Sequence, residues 1–173
     1  MKIENEMIGT RIYIRNYTNN DLEFSTNMWF DKENGKYLSD PTSEYVDDVY
    51  RQALDELEDS TMGYYLIVQG KESNELLGTC CMFPNEDRDI YDIGYCIDRK
   101  YWKQGYGTEV IGLLLDWIRH HGGKKVTAEV AVENNASNAL LVKCGFEVER
   151  ATEFKKYNMD VVFKSYIYQL LLK

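Results

Sequence analysis

The stretch Tyr101-Trp102-Lys103-Gln104-Gly105-Tyr106-Gly107-Thr108-Glu109 stands between a strand-like segment, 90–97, and a long helical pattern, 107–121. Two glycines one residue apart allow backbone conformations and close approaches that side chains would block. The first N–H groups of a helix lack internal partners and lie at the positive end of its dipole. The stretch therefore predicts a turn that can hold a pyrophosphate, although a tight loop without a ligand explains the same glycines.

Three basic residues near this turn, Arg99, Lys100 and Lys103, favour the phosphate interpretation in an otherwise acidic chain. Two rival phosphate-binding motifs do not fit. A nucleoside-triphosphate loop requires GxxxxGK[ST], and a Rossmann fingerprint requires a third glycine or alanine where Val110 stands. A dinucleotide-binding fold would also begin with a βαβ unit.

Outward from this turn, hydrophobic periodicity predicts a single mixed α/β (α+β) domain over residues 1–173, with no repeat, low-complexity tract or linker. The predicted strands are 11–15, 64–69, 76–83, 90–97, 125–132, 146–151 and 161–172. The predicted helices begin near residues 21, 43, 107 and 137. The order is therefore strand, two helices, three strands, helix, strand, helix and two strands.

A second motif begins one strand after the glycine turn, at Glu133-Asn134-Asn135-Ala136-Ser137, and ends at Lys143-Cys144-Gly145-Phe146. It follows a predicted strand and opens a short helix. Ser137 or Asn135 fits an ordinary N-cap, because both residue types favour that position. A cap alone does not explain why the whole pattern follows the glycine turn so closely.

The composition indicates an ordinary globular protein: 173 residues, 44% hydrophobic, 28% charged and 13% aromatic, with 14 tyrosines. The net charge of −9 argues against nonspecific nucleic-acid binding and favours cationic small molecules or basic peptides as partners. Acidic surfaces are also common in proteins whose charge serves only solubility.

No run of apolar residues is long enough to span a membrane, and the start of the chain, with Glu4 and Glu6, does not resemble a secretory signal. The four cysteines contain no CxxC pair, so a metal site is not expected. Reduced thiols in a cytoplasmic protein explain them better.

Together the two motifs resemble those of the GNAT superfamily of N-acetyltransferases, and within it the RimJ/RimL-like branch of ribosomal-protein acetyltransferases. The matching stretches are Ile93-Gly94-Tyr95-Cys96-Ile97, the glycine turn 101–109, Asn134 with Ser137, and Lys143-Cys144-Gly145-Phe146. Weaker matches lie at 11–15 and at Asp160 with 166–171, so the resemblance covers nearly the whole chain. It implies a mostly antiparallel mixed sheet, splayed after its fourth strand, with helices on both faces.

The resemblance further implies that acetyl-CoA, the cosubstrate, enters the splay. Its pantetheine arm would pair with the backbone of Cys96 and Ile97 and with the side chain of Asn134. Its pyrophosphate would meet Lys103 and the backbone N–H groups of Gln104, Gly105, Tyr106, Gly107 and Thr108. The sequence departs from the pattern at Trp102, where many members carry Arg or Gln, and at Leu141, where many carry a tyrosine acid.

Direct attack of an amine on a thioester requires a base, an oxyanion donor and a proton donor for the departing thiolate. Asp92, beside the expected splay, is the candidate base, although strand-edge carboxylates are usually only solvated. The N–H of Ile97 is the candidate oxyanion donor. Ser137 is the candidate thiolate partner, unless it only caps its helix. Glu129 is less favoured because it has the pattern of an exposed strand residue.

The resemblance thus predicts an acetyl-CoA-dependent N-acetyltransferase that uses no metal, binds no nucleic acid or membrane, and acts as a monomer or homodimer. The acceptor stays open among a protein N-terminus, a polyamine and a drug-like amine. The alternative is a non-catalytic CoA-binding sensor or scaffold of the same fold, which the missing tyrosine at Leu141 favours.

Overall fold

The computed structural model describes residues 1–173, and it contains one sheet of eight strands and four α-helices. The strands are β1 (Met7–Ile8), β2 (Ile12–Asn16), β3 (Tyr64–Gly70), β4 (Leu76–Pro84), β5 (Ile90–Ile97), β6 (Lys125–Ala131), β7 (Glu147–Lys155) and β8 (Val162–Leu171). The helices are α1 (Leu22–Trp29), α2 (Asp48–Asp55), α3 (Tyr106–His120) and α4 (Asn135–Lys143).

The strands are ordered β1-β2-β3-β4-β5-β6-β8-β7, and all neighbours are antiparallel except β5 and β6. The predicted mostly antiparallel mixed sheet is therefore confirmed. The prediction missed β1, because two residues before Gly9 are too short to show a period. With β1 included, the strand beside the parallel pairing is the fifth rather than the fourth.

One face of the sheet is covered by α3 and α4. Along α3, the side chains of Val110, Ile111, Leu114 and Ile118 are fully buried, which is the helical stripe that the sequence predicts. Each such side chain contributes about 1.5–3 kcal/mol of burial free energy. They pack against alternate residues of the strands, among them Ile14 of β2.

The opposite face is covered by α1, α2 and the segment between them, so helices lie on both sides as expected. Trp29, the last residue of α1, donates from Nε1 to Thr79 Oγ1 of β4 at 2.9 Å. The predicted second helix is shorter than expected. Asp47 accepts from the N–H of Tyr50 and starts α2, and short 3-10 turns flank the helix at Ser43–Tyr45 and Leu57–Asp59.

None of the four helices combines the length and the apolar character needed to cross a lipid bilayer. All four cysteines are free thiols; Cys80 and Cys96 are buried, and Cys81 and Cys144 are half-buried.

Candidate functional site

A gap opens in the middle of the sheet between β5 and β6. The two strands pair in parallel at only three positions, Ile90 with Lys125, Tyr91 with Val126, and Asp92 with Thr127. Both strands continue beyond these pairs, so residues 93–97 of β5 have no strand partner on that side. This is the predicted splay, and it leaves backbone groups of a central strand available to a ligand.

The hydrogen bonds at the two ends of β5 show which residues face the gap. The N–H of Asp98 donates to Leu77 O at the start of β4, and Ile90 O accepts from the N–H of Asn85. Because these groups alternate in direction along a strand, the even-numbered residues of β5 face β4, and Tyr95 and Ile97 face the gap.

Cys96 is therefore a correction to the expected backbone contacts, since its N–H and carbonyl point towards β4 rather than the gap. Its thiol is buried and accepts from Asn34 Nδ2 at 3.1 Å. Burial raises the pKa of the thiol to about 12, which keeps it protonated and unreactive. Ile97 does face the gap, and its carbonyl accepts from Trp102 Nε1 at 2.7 Å, which leaves its N–H for a ligand.

The glycine turn forms the N-terminus of α3. Gly105 is the N-cap with φ 84°, a left-handed conformation that favours glycine. The N–H groups of Tyr106, Gly107 and Thr108 lie in the first turn of the helix, where they have no intrahelical acceptor. A Cβ added at Gly105 would approach only Arg11 Nη2, at 3.5 Å, so the turn is open to an incoming group.

Arg11 holds this turn in place; the sequence placed it in a predicted strand and a weak family match, without a role at the turn. Its Nη1 donates to Gln104 O at 2.9 Å and its Nε to Glu109 Oε2 at 3.1 Å. Its guanidinium lies 4.4 Å from the centre of the Tyr106 ring. Arg11, which directly precedes β2, therefore orders the turn, and its charge is paired with Glu109.

The predicted basic cluster is only partly available. Arg99 Nη1 pairs with Glu33 Oε2 at 2.7 Å, and Lys100 Nζ lies 4.7 Å from the centre of the Tyr101 ring. Lys103 is exposed and makes neither an ion pair nor a ring contact. Of the three, Lys103 is the one whose ammonium is free for an anion.

The N-cap of α4 is Asn134, whose Oδ1 accepts from the N–H of Ser137 at 3.2 Å. The sequence suggested Ser137 or Asn135 as the N-cap, and neither residue takes that position. The Ser137 hydroxyl is instead 2.6 Å from the hydroxyl of Tyr95, across the gap. Burial raises the pKa of Tyr95 to about 12, with the bond to Ser137 acting in the opposite direction, so both hydroxyls are protonated at neutral pH.

On the other face of the sheet, beside the gap, lies a half-open cavity of about 510 Å³. Its lining includes three carboxylates, from Asp40, Asp92 and Glu129, but no lysine or arginine. Tyr95 also contributes to the lining. The gap therefore joins the glycine turn and Ser137 on one face to an acidic cavity on the other.

Asp92 lies where the sequence placed it, at the last paired position before the gap. Its Oδ1 accepts from the hydroxyl of Thr127 at 2.7 Å. Solvent reaches Asp92, but the cavity walls surround it, and this burial raises its pKa; the hydrogen bond from Thr127 opposes the shift and the charge of Glu129 adds to it. A carboxylate with a raised pKa is suited to take a proton.

Glu129 lines the cavity of the candidate site, which its position on a strand surface did not indicate. It is solvent-accessible, as expected, yet it lines the cavity and accepts from the hydroxyl of Ser165 at 2.5 Å. Sequence alternation placed Glu129 on the outward face correctly. It gave no sign that this face is concave here.

Comparison with known proteins matches the chain to one family. The family described as "Acetyltransferase (GNAT) domain" matches residues 11–147. An uncharacterized N-acetyltransferase of Bacillus subtilis, YoaA, is 24% identical over 165 residues, which is 93% of each chain.

Two solved structures share the fold. One is a spermidine N-acetyltransferase from Vibrio cholerae in complex with CoA and spermine, with TM-score 0.77, 18% identity and coverage of 93% of this chain and 95% of that one. The other is an acetyltransferase from Salmonella typhimurium that modifies the N-terminal serine of ribosomal protein L7/L12, with TM-score 0.78, 16% identity and coverage of 98% and 100%.

The family match extends from Arg11, which orders the glycine turn, through the gap and Ser137 to the start of β7, and so includes most of the site described above. Because it covers well over half of the chain, and because the predicted resemblance rested on the same segments, the protein is an acyltransferase that belongs to the GNAT acetyltransferase family.

Proposed function

We propose that the protein is an acetyl-CoA-dependent N-acetyltransferase that transfers an acetyl group directly to a primary amine, and that residues 1–173 form its single domain. One observation carries the proposal: a gap in the sheet connects an anion-binding turn on one face to an acidic cavity on the other. A thioester that enters from one side would thus meet an amine that enters from the other.

The residues of the gap suit acetyl-CoA. The free N–H groups at the start of α3, with Lys103 and Arg11 beside them, suit a pyrophosphate. The N–H and carbonyl of Tyr95 suit the amide groups of an extended arm, because they form an unpaired strand edge, and the N–H of Ile97 is left for the thioester oxygen. When bound, acetyl-CoA would supply an acyl group activated as a thioester.

Asp92 is the base of the proposed reaction. The amine nitrogen forms a bond to the acyl carbon as the carbon–sulfur bond breaks, and the proton released by the amine passes to Asp92. Glu129, on the neighbouring strand, adds negative charge that keeps a cationic amine close to Asp92. The N–H of Ile97 is available to the oxygen that becomes negative.

Ser137 is the proposed hydrogen-bond donor to the departing sulfur. Tyr95 serves as a positioning residue, since its hydroxyl can donate to Ser137 Oγ and leave the serine proton for sulfur. Leu141 is fully buried in the core and cannot take the role that tyrosine has in many relatives. In this proposal the Ser137–Tyr95 pair takes the proton-donating role that a single tyrosine has in many relatives.

Calorimetric titration with acetyl-CoA, followed by an assay of thiol release with a panel of amines, tests the function. We expect micromolar binding and amine-dependent thiol release. Binding without thiol release from any amine would instead indicate the sensor or scaffold alternative. Absence of binding would mean that Gly105 and Gly107 form only a turn.

A further inference from the structure

The cavity beside Asp92 has an acidic lining. Its three carboxylates each accept from a hydroxyl: Asp40 from Tyr50, Asp92 from Thr127 and Glu129 from Ser165. None of the three forms an ion pair with a lysine or arginine. The buried ammonium of Lys156 lies behind the wall and interacts with Asp40, but no lysine or arginine lines the cavity itself. Negative charge on the wall of a concave space attracts a cationic ligand.

Most of the remaining lining is aromatic or aliphatic. The aromatic members include Trp29, Tyr37, Tyr50, Tyr65, Phe83 and Phe154. The rings of Tyr65 and Phe83 meet edge to face with their centres 5.6 Å apart. Aromatic faces attract ammonium groups and also shelter an apolar ligand body, whereas they offer few partners to the peptide groups of a polypeptide.

The cavity also has a roof. The segment 37–40, between α1 and α2, lines it, and the turn between β7 and β8 holds this segment down. Lys156 Nζ donates to Gly35 O at 2.9 Å and to Leu38 O at 2.6 Å, and the N–H of Tyr157 donates to Ser39 O at 2.8 Å. Lys156 is only 5% exposed, so these bonds are sheltered from water.

We propose that the acceptor is a compact amine with an apolar or aromatic body, rather than a protein N-terminus or a long polyamine. This inference rests on the proposed function and names its substrate class. The cavity volume of about 510 Å³ suits a small molecule, because pockets for such ligands span roughly 300–1,000 Å³. The segment 37–40 lines one side of this cavity, and two of its acids, Asp92 and Glu129, lie on the strands that border the gap.

The direct test compares three acceptors at saturating acetyl-CoA: 2-phenylethylamine, spermidine and an unblocked octapeptide that begins with serine. We expect kcat/KM for 2-phenylethylamine to exceed that for each of the other two by about tenfold or more, equivalent to about 1.4 kcal/mol of transition-state binding. A preference for the peptide or for spermidine would overturn the inference.

The roof is tested by Lys156→Met, which keeps the length of the side chain and removes both donors. We expect KM for 2-phenylethylamine to rise about tenfold, because the loss of hydrogen bonds from a charged group costs free energy on that scale. The affinity for acetyl-CoA should not change. Lys155→Met is the matched control, because Lys155 is exposed and makes only a 4.0 Å contact with Asp160. An unchanged KM in Lys156→Met would contradict the role of the roof.

Asn158→Gly is a second variant in case Lys156→Met fails to fold. Asn158 has φ 53°, which glycine adopts freely, and its Nδ2 donates to Tyr45 O at 3.0 Å. The variant removes a bond between the β7–β8 turn and the 3-10 turn Ser43–Tyr45, which follows the roof segment, without straining the β7–β8 turn. A smaller rise in KM is expected. Failure of the inference is distinct from failure of the function: the first leaves acetylation of the peptide or of spermidine intact, and the second leaves no acetyl transfer to any of the three amines.

Discussion

At the scale of single residues, the site depends on which side chains are free to react and which are held in structural roles. Asn134 takes the capping role, which leaves the Ser137 hydroxyl for Tyr95 and for a ligand. Arg99 is engaged with Glu33, which leaves Lys103 for an anion. The chemistry of the site thus follows from neighbours that occupy the competing hydrogen-bonding roles.

Gly105 allows a test of the anion-binding turn with two variants of nearly equal size. Gly105→Asn and Gly105→Asp both tolerate the left-handed conformation better than other residues, and they differ mainly in charge. We expect the aspartate variant to bind acetyl-CoA about tenfold more weakly than the asparagine variant, because its carboxylate would repel a pyrophosphate. Calorimetric titration of both gives the comparison, and equal affinities would remove the phosphate from this turn.

Ser137→Ala is expected to lower kcat about tenfold or more, with little change in acetyl-CoA affinity or in thermal stability. Stability is preserved because Asn134 caps the N–H of residue 137 whatever its side chain. Tyr95→Phe is expected to cause a smaller loss, and the double variant to lose no more than Ser137→Ala alone, since the tyrosine acts through the serine. Additive losses in steady-state kinetics would separate the two residues.

Asp92→Asn is expected to lower kcat by about a hundredfold while leaving stability at pH 7 equal or higher. The pKa of Asp92 is raised in the folded protein, so folding favours the protonated form, and stability is lost as the pH rises through the folded pKa. Asparagine imitates the protonated form, so the two proteins should converge in Tm below the ordinary value of 3.8.

Thermal melts between pH 3 and pH 8, with about one pH unit between points, check the prediction for Asp92. Asp87→Asn is the control, because Asp87 is exposed in the turn before β5. A loss of stability at pH 7 in Asp92→Asn would mean that the folded protein favours the ionised form of Asp92, which contradicts a raised pKa.

At the scale of elements, α3 and α4 pack closely against each other at the glycine turn. A Cβ added at Gly107 would lie 2.7 Å from Leu140 Cδ2, so the second glycine of the turn allows the two helices to meet. The sequence explained both glycines by the phosphate. The structure gives them different reasons: Gly105 for its positive φ and Gly107 for the packing of the helices.

Gly107→Ala is therefore expected to destabilise the protein by about 1–2 kcal/mol, because Leu140 must move. Leu140→Ala in the same chain should relieve that clash, which gives a favourable coupling energy in the double-mutant cycle. Gly112→Ala is the control within the same helix, since its Cβ would meet nothing within 4 Å, and it should stabilise by about 0.5–1 kcal/mol. Urea denaturation measures all four variants.

At the scale of the whole molecule, the gap divides a continuous eight-stranded sheet without breaking it. The core on the α3 face runs across both halves, from Ile12 to Tyr168. The gap is therefore bordered by the core on one face of the sheet and by a half-open cavity, lined in part by segment 37–40, on the other.

Amide hydrogen exchange tests this description. The N–H groups of Tyr95 and Ile97 face the gap and should exchange quickly in the free protein, then slow by about tenfold or more when acetyl-CoA is bound. The N–H groups of Gly94 and Cys96 face β4 and should be protected in both states. Equal protection of all four amides in the free protein would mean that the gap is closed in solution.

The sequence by itself determined the elements, and it determined the family. Each of the seven predicted strands and four predicted helices is present, because burial on one face imposes a period that short stretches display. The glycine turn and the Asn134–Ser137 motif were readable because their spacing is local. The missed strand β1 and the shortened α2 are cases in which a two-residue strand and a capping carboxylate gave no period to detect.

Only the tertiary structure decided how the site is shared among distant residues. Arg11 reaches Glu109 across 98 positions of the chain, and Lys156 reaches Gly35 across 121. Alternation assigned Glu129 to a face, but a face becomes a cavity wall only when the segment 37–40 covers it. Periodicity reports what each residue does within its own element, whereas hydrogen bonds and cavities depend on which elements meet, and that is settled by the packing of the whole chain.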